Sequence, residues 1–185
     1  MTDISRRQFI AASGVAAASV WIAAETRDLV AAGLHAAKAT RFEVLSDADA
    51  ADIEAAAAQI IPSDGTPGAR EARVIYFIDR SLGTFAKDQR PAFEKAAKEL
   101  RTRAAKIQPG ARSFAGLSPD KQIAVLTAME KDKNSTFNMI RGATIAGMFA
   151  NPEYGGNYNK AGWTLLGFND QFSWAAPFGW YDRNV

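Results

Sequence analysis

Between residues 40 and 150 the chain is cut into helix-length pieces by proline- and glycine-bearing breaks. They fall at Pro62-Ser63-Asp64-Gly65, at Pro109-Gly110 and at Ser118-Pro119. Proline lacks a backbone N–H and its ring blocks a continuing helix, so each break ends one element and starts another. Within the pieces the apolar period is helical. Val74, Phe77, Ile78, Ser81, Leu82 and Phe85 fall at i, i+3, i+4, i+7, i+8 and i+11, and Gly83 lies near the end of that stripe. No run alternates apolar and polar residues for long enough to make a sheet. The pattern predicts an all-α fold, a compact bundle of about five helices.

The same reading places each helix. Ser46 with Asp49 forms an N-cap and acidic first turn, and Ile53, Ala57, Ile60 and Ile61 share one face. Asp47, Asp49 and Asp52 lack the glycine and terminal glutamate of a calcium loop, so they are expected as negative charges at a helix N-terminus. Asp88 is expected to cap a third helix, with Pro91 in its first turn and Phe93, Ala97, Leu100, Ala104 and Ile107 buried. A fourth helix starts at Pro119 with Ile123, Leu126 and Met129 inside. A fifth runs from about Ser135 to Ala150, where Gly142 and Gly147 allow close helix approach. Asp79, Arg80 and Arg141 are either salt-bridge partners or interface charges.

Upstream of the bundle, Ser5-Arg6-Arg7-Gln8-Phe9-Ile10 precedes an uncharged, alanine-rich run from Ala11 to Ala24. Arg6, Arg7 and Phe9 form the core of a twin-arginine export signal, which moves proteins that have already folded. The run is too short and too rich in small residues for a spanning helix, which needs about 20 strongly apolar residues. Residues 1–39 are therefore expected to be signal peptide and linker, with Ala37-Lys38-Ala39 as a cleavage motif and 40–185 as a single domain. The expected location is the periplasm.

Composition narrows the chemistry. Basic and acidic residues nearly balance, at 22 and 20, which gives no electrostatic case for nucleic acid. There is no cysteine, so disulfides, thiolate metal sites and covalent haem attachment are excluded. The only histidine, His35, lies upstream of the expected mature start. The domain then lacks the commonest general base and the best nucleophile. A catalytic role would fall to carboxylates such as Asp79, Glu130 or Asp170, yet their spacing singles out no pair. No catalytic, cofactor or metal residue is expected in the domain.

The last thirty-five residues differ in kind. Asn151-Pro152-Glu153-Tyr154-Gly155-Gly156-Asn157 is turn-rich, and Trp163, Phe168, Phe172, Trp174, Phe178, Trp180 and Tyr181 come after it without a helical or strand period. Such a segment wraps the core or lies on another protein, because aromatic rings concentrate at interface centres.

The leader, the first helix from Leu45-Ser46 to Ile60-Ile61-Pro62, and the Asn-Pro-x-Tyr-Gly-Gly-Asn loop followed by Gly162-Trp163 and Gly167-Phe168 resemble the gluconate 2-dehydrogenase subunit 3 family. The resemblance implies a small subunit of a periplasmic sugar, polyol or sugar-acid dehydrogenase. Its large subunit would be a glucose-methanol-choline flavoprotein holding FAD and the catalytic base. Some such complexes add a multihaem cytochrome with haem c, which would tie the assembly to the membrane. The small subunit then supports folding of the flavoprotein and supplies its export signal.

The candidate partner interface is Asn151, Pro152, Tyr154, Gly155, Gly156, Asn157, Trp163, Phe168, Trp174, Trp180 and Tyr181. Trp163 and Phe168 are expected to pack within the chain first, and Trp174, Trp180 and Tyr181 to contact the partner. The rival reading is a stand-alone periplasmic module that stacks sugar on the aromatic tail, with Asn157, Asn159 and Asp170 as hydrogen-bonding groups.

Overall fold

The computed structural model describes residues 41–170. Arg6, Arg7, Phe9, His35, Trp174, Trp180 and Tyr181 lie outside the described residues. Among those described, the chain forms a compact bundle of α-helices with no strand. The elements are α1 (Asp47–Ile60), α2 (Val74–Gly83), α3 (Arg90–Ile107), α4 (Pro119–Lys131), α5 (Ser135–Phe149) and a short α6 (Ala161–Leu166). Five of them match the expected bundle. The sixth lies in the aromatic segment, where six residues are too few to show a period.

Helix α1 is the axis of the bundle and packs against α2, α3, α4 and α5. Its alanines explain that position. Ala50, Ala55, Ala56 and Ala57 are buried on more than one face, and short side chains let four neighbours approach at once. Ser46 caps its start, with Oγ accepting from the Asp49 N–H at 3.1 Å. Asn134 caps α5 in the same way, accepting from the Phe137 N–H at 3.1 Å. Proline opens both α3 and α4, where its missing N–H costs nothing.

Two apolar clusters flank α1. The first joins Ile53 and Ala57 of α1 to Val74, Phe77 and Ile78 of α2, Phe93 of α3, and Ala143 and Met148 of α5. The second joins Ala55 and Ala56 to Leu100 of α3, Phe114 and Leu117 of the α3–α4 loop, Val125 and Met129 of α4, and Phe137 and Ile140 of α5. Gly147 permits the α2–α5 approach. A Cβ there would sit 3.0 Å from the Phe77 ring and 3.1 Å from Val74.

Four expectations are corrected. Ile123 and Ile107 are exposed, at 50% and 40%. In α4 the inward position belongs to Gln122, whose side-chain amide donates to the carbonyls of Phe114, Ala115 and Leu117 and accepts from Gln59. A side chain that satisfies several loop carbonyls outweighs a neighbouring isoleucine at that register. Asp88 sits in a 3-10 turn, Lys87–Gln89, and makes no cap; Gln89 precedes α3 without a side-chain bond. Asp52 is not a dipole charge at a helix end. It is fully buried, accepting from the Ala115 N–H at 2.9 Å and from Arg101 at 3.1 Å.

Candidate functional site: the Asn151–Phe168 platform

Beyond α5 the chain folds back over the end of the helix as a platform. Asn151 Oδ1 accepts from the Glu153 N–H at 3.1 Å and starts a 3-10 turn, Pro152–Tyr154. Gly155 ends the turn in the left-handed region, φ 94°, which its missing side chain permits.

Asn157 organises the rest of the platform. It is fully buried, with φ 50°. Its backbone N–H donates to the Gly147 carbonyl at 2.6 Å and its Nδ2 to the Ala150 carbonyl at 3.0 Å. Its Oδ1 accepts from the Gly162 N–H at 2.7 Å and, more loosely, from that of Trp163 at 3.4 Å. One residue, through its backbone N–H and its side-chain amide, therefore satisfies carbonyls left open at the end of α5 and N–H groups left open at the start of α6. The polarity suits both ends, donor toward a helix C-terminus and acceptor toward an N-terminus.

Backbone contact does the rest. A Cβ at Gly156 would overlap the Gly147 carbonyl, and one at Gly162 the Met148 carbonyl. Both glycines are needed for the platform to lie flat on α5. Trp163 then donates its indole N–H to the Phe149 carbonyl at 3.0 Å, and Phe168 meets its ring edge-on at 5.0 Å. Phe168 remains half-exposed, at 49%. Tyr154 and Leu165 are half-buried against the first apolar cluster.

The expected interface residues thus divide. Gly155, Gly156 and Asn157 are buried within the chain, Asn151 and Pro152 are half-buried in the turn, and Tyr154, Trp163 and Phe168 remain partly at the surface. Trp163 and Phe168 meet edge-on within the chain.

Sequence reasoning did not reach the residues beside the platform. The Tyr158 N–H donates to the Ala72 carbonyl at 3.2 Å, tying the platform to the start of α2. The Arg73 guanidinium lies 4.5 Å from the Tyr158 ring centroid and 5.4 Å from that of Tyr76. Tyr76 in turn stacks on Phe42 at 5.1 Å. Only the mixture of aromatic and arginine residues hinted at this row, and its members are scattered in sequence.

Asp79, which the sequence leaves open between ion pair and interface, is buried and ion-paired with Arg80. Its carboxylate accepts from the N–H groups of Glu43, Val44 and Leu45 at 2.8–2.9 Å and from Arg80 at 2.8 Å. Arg80 also reaches the Arg41 carbonyl at 3.0 Å. This buried clasp holds the segment entering α1 against α2. Glu130 is exposed beside a cleft of about 190 Å³ between α1, α4 and α5, and Asp170 is exposed and paired with Lys160 at 2.9 Å. Among the described residues no group of His, Cys, Asp or Glu side chains could hold a metal ion, and no helix is long and apolar enough to cross a membrane.

No curated protein and no solved structure matches the chain. The family model described as gluconate 2-dehydrogenase subunit 3 matches residues 47–170, from the first residue of α1 through the whole platform. A match of that extent, ending on the features that carried the resemblance, shows that the chain belongs to the gluconate 2-dehydrogenase subunit 3 family, small subunits that assemble with a dehydrogenase partner.

Proposed function

We propose that this chain is the non-catalytic small subunit of a periplasmic, FAD-dependent dehydrogenase of the glucose-methanol-choline type, acting on a sugar, polyol or sugar acid. It supports folding and stability of the flavoprotein subunit and carries it through the twin-arginine pore. The flavin and base of the partner supply the chemistry, which is hydride removal from a substrate C–H. Electrons then pass to an acceptor such as a haem c cytochrome.

The observation that carries the reading is the family match across the whole bundle and platform. The fate of the buried polar groups supports it. Asp79, Asp52 and Asn157 have their hydrogen-bonding capacity taken by backbone amides, arginines and carbonyls of this same chain. They act as fasteners of a scaffold. The rival sugar-binding reading uses Asn157, Asn159 and Asp170 as hydrogen-bonding groups; of these, Asn157 is buried with its side chain bonded to the Ala150 carbonyl and the Gly162 N–H, and Asp170 is paired with Lys160.

The test is purification of the tagged chain from its native periplasm, with an absorbance spectrum of the eluate. A flavin spectrum with a large co-eluting chain is expected, together with loss of that chain from the periplasm when Arg6 and Arg7 are changed to Lys. A single colourless chain that binds glucose or gluconate tightly on its own would sink the proposal.

A further inference from the structure

The segment that leads into α1 is tied to α2 along its whole length. The Asp79 carboxylate is fully buried and accepts from three consecutive N–H groups, those of Glu43, Val44 and Leu45, at 2.8–2.9 Å. Arg80 completes the clasp. Its guanidinium pairs with Asp79 at 2.8 Å and with Glu43 at 3.1 Å, and it donates to the Arg41 carbonyl at 3.0 Å. Side chains add to these bonds. Phe42 stacks on Tyr76 at 5.1 Å, Val44 packs on the first apolar cluster and Leu45 is buried in it. Every residue from Arg41 to Leu45 is therefore engaged. Pulling the segment away would leave a buried carboxylate short of three donors, which is costly.

This grip bears on how the leader is removed. A peptidase takes its substrate as an extended strand and needs free chain on both sides of the bond it cuts. A bond beside a fixed segment is cut only in the fraction of molecules where that segment has opened. Cleavage after Ala37-Lys38-Ala39 would leave Thr40 as the one residue between the cut bond and the clasp. A twin-arginine signal delivers a domain that has already folded, so the clasp is closed when the peptidase meets it. The next small-x-small triplet upstream is Ala31-Ala32-Gly33, and a cut after it leaves seven residues, 34–40, ahead of Arg41.

We infer that the Asp79–Arg80 clasp withholds the Ala39–Thr40 bond from the signal peptidase and sets the cut at Gly33 or upstream of it. His35, the chain's only histidine, then stays in the mature protein. The inference rests on the twin-arginine export of the proposed function, and adds where the leader is removed and which residues of the domain decide it.

The experiment is the intact mass of the chain, expressed at full length and purified from its native periplasm. A mature chain that starts at Leu34 or earlier is expected. One that starts anywhere after Leu34 overturns the inference, as does an exported chain that keeps its whole leader. Two variants then separate the clasp from the peptidase's own preference among triplets, and neither alters a residue of the clasp. Gly33→Leu spoils the upstream triplet, and the clasp should still keep Thr40 from becoming the first residue. Inserting about six Gly and Ser residues between Thr40 and Arg41 of that variant moves the Ala39–Thr40 bond away from the clasp on a flexible tether. The mature start should then shift to Thr40. A Thr40 start without the tether, or none with it, overturns the inference. A chain absent from the periplasm instead overturns the proposed export, so fractionation tells the two failures apart before any mass is read.

Discussion

The two ends of this molecule are held together by different means. At the end formed by Leu100, Phe114, Met129 and Ile140 the structure depends on side-chain volume, as large apolar groups fill the space between four helices. At the other end the platform depends on backbone. Gly156 and Gly162 lie on the carbonyls of α5, and a single buried amide, Asn157, joins two helix termini. Volume can be redistributed among neighbours, whereas a backbone contact has no slack. The bundle should therefore tolerate conservative exchange that the platform does not, and the platform should open without the bundle unfolding.

The largest effect tests the bundle. Phe114 is fully buried in the second cluster. Phe114→Ala is expected to cost about 3–5 kcal/mol of global stability through lost transfer energy and the cavity left behind. Urea unfolding should show one transition at a lower midpoint. If only the platform loosened, the division into two kinds of end would be wrong.

Gly162→Ala tests the platform. Its Cβ would overlap the Met148 carbonyl, so residues 156–168 must lift. The expected cost is up to about 3 kcal/mol, felt locally. Hydrogen exchange should accelerate at residues 157–168 and stay unchanged in α3 and α4. Asn157→Asp is milder. It keeps the acceptor for Gly162 but loses the donor to Ala150 and sets a negative charge at the end of α5. A cost of about 1–2 kcal/mol with the same local exchange pattern is expected. Global unfolding in either variant would erase the distinction.

This difference also decides what could be read from the sequence. The bundle was legible because its rules are periodic. The stripe from Val74 to Leu82 and the breaks at Pro62 and Pro109 fall where the structure has them, while Phe85, the last residue of the expected stripe, lies beyond the end of α2 at Gly83. The misreadings are polar side chains with long-range partners. Gln122 displaces Ile123 because it serves three carbonyls of the preceding loop, and Asp52 goes inside because Arg101 and the Ala115 amide wait there. No period reports such partners. The platform was visible only as a glycine- and asparagine-rich string. Which of its residues turn inward depends on the α5 carbonyls beneath them, and the left-handed backbone of Arg73 has no mark in the sequence at all.

The smallest effect probes the bundle end away from the platform. Glu99 of α3 accepts from Asn134 at 2.8 Å, Thr136 at 2.7 Å and Arg103 at 3.1 Å, so it holds the capping residue of α5. Partial burial works against its ionisation, yet the bonds from Thr136, Arg103 and Asn134 outweigh that and hold its pKa below the ordinary 4.5. A depressed folded-state value means the unfolded chain binds the proton more readily. The stabilisation is then fully present above pH 4.5 and drains away as pH falls through the lower folded value. Its size is below about 1 kcal/mol, since the groups are partly solvated. Glu99→Gln removes the charge while keeping the shape of the protonated acid. Urea midpoints of the two proteins should differ most near neutral pH and converge in acid. Platform exchange should be the same in both, because Glu99 grips the start of α5 and Asn157 its end. A gap that stays constant with pH would show that the Glu99 charge contributes nothing. A gap accompanied by faster exchange at residues 157–168 would show that the two ends of α5 are coupled after all.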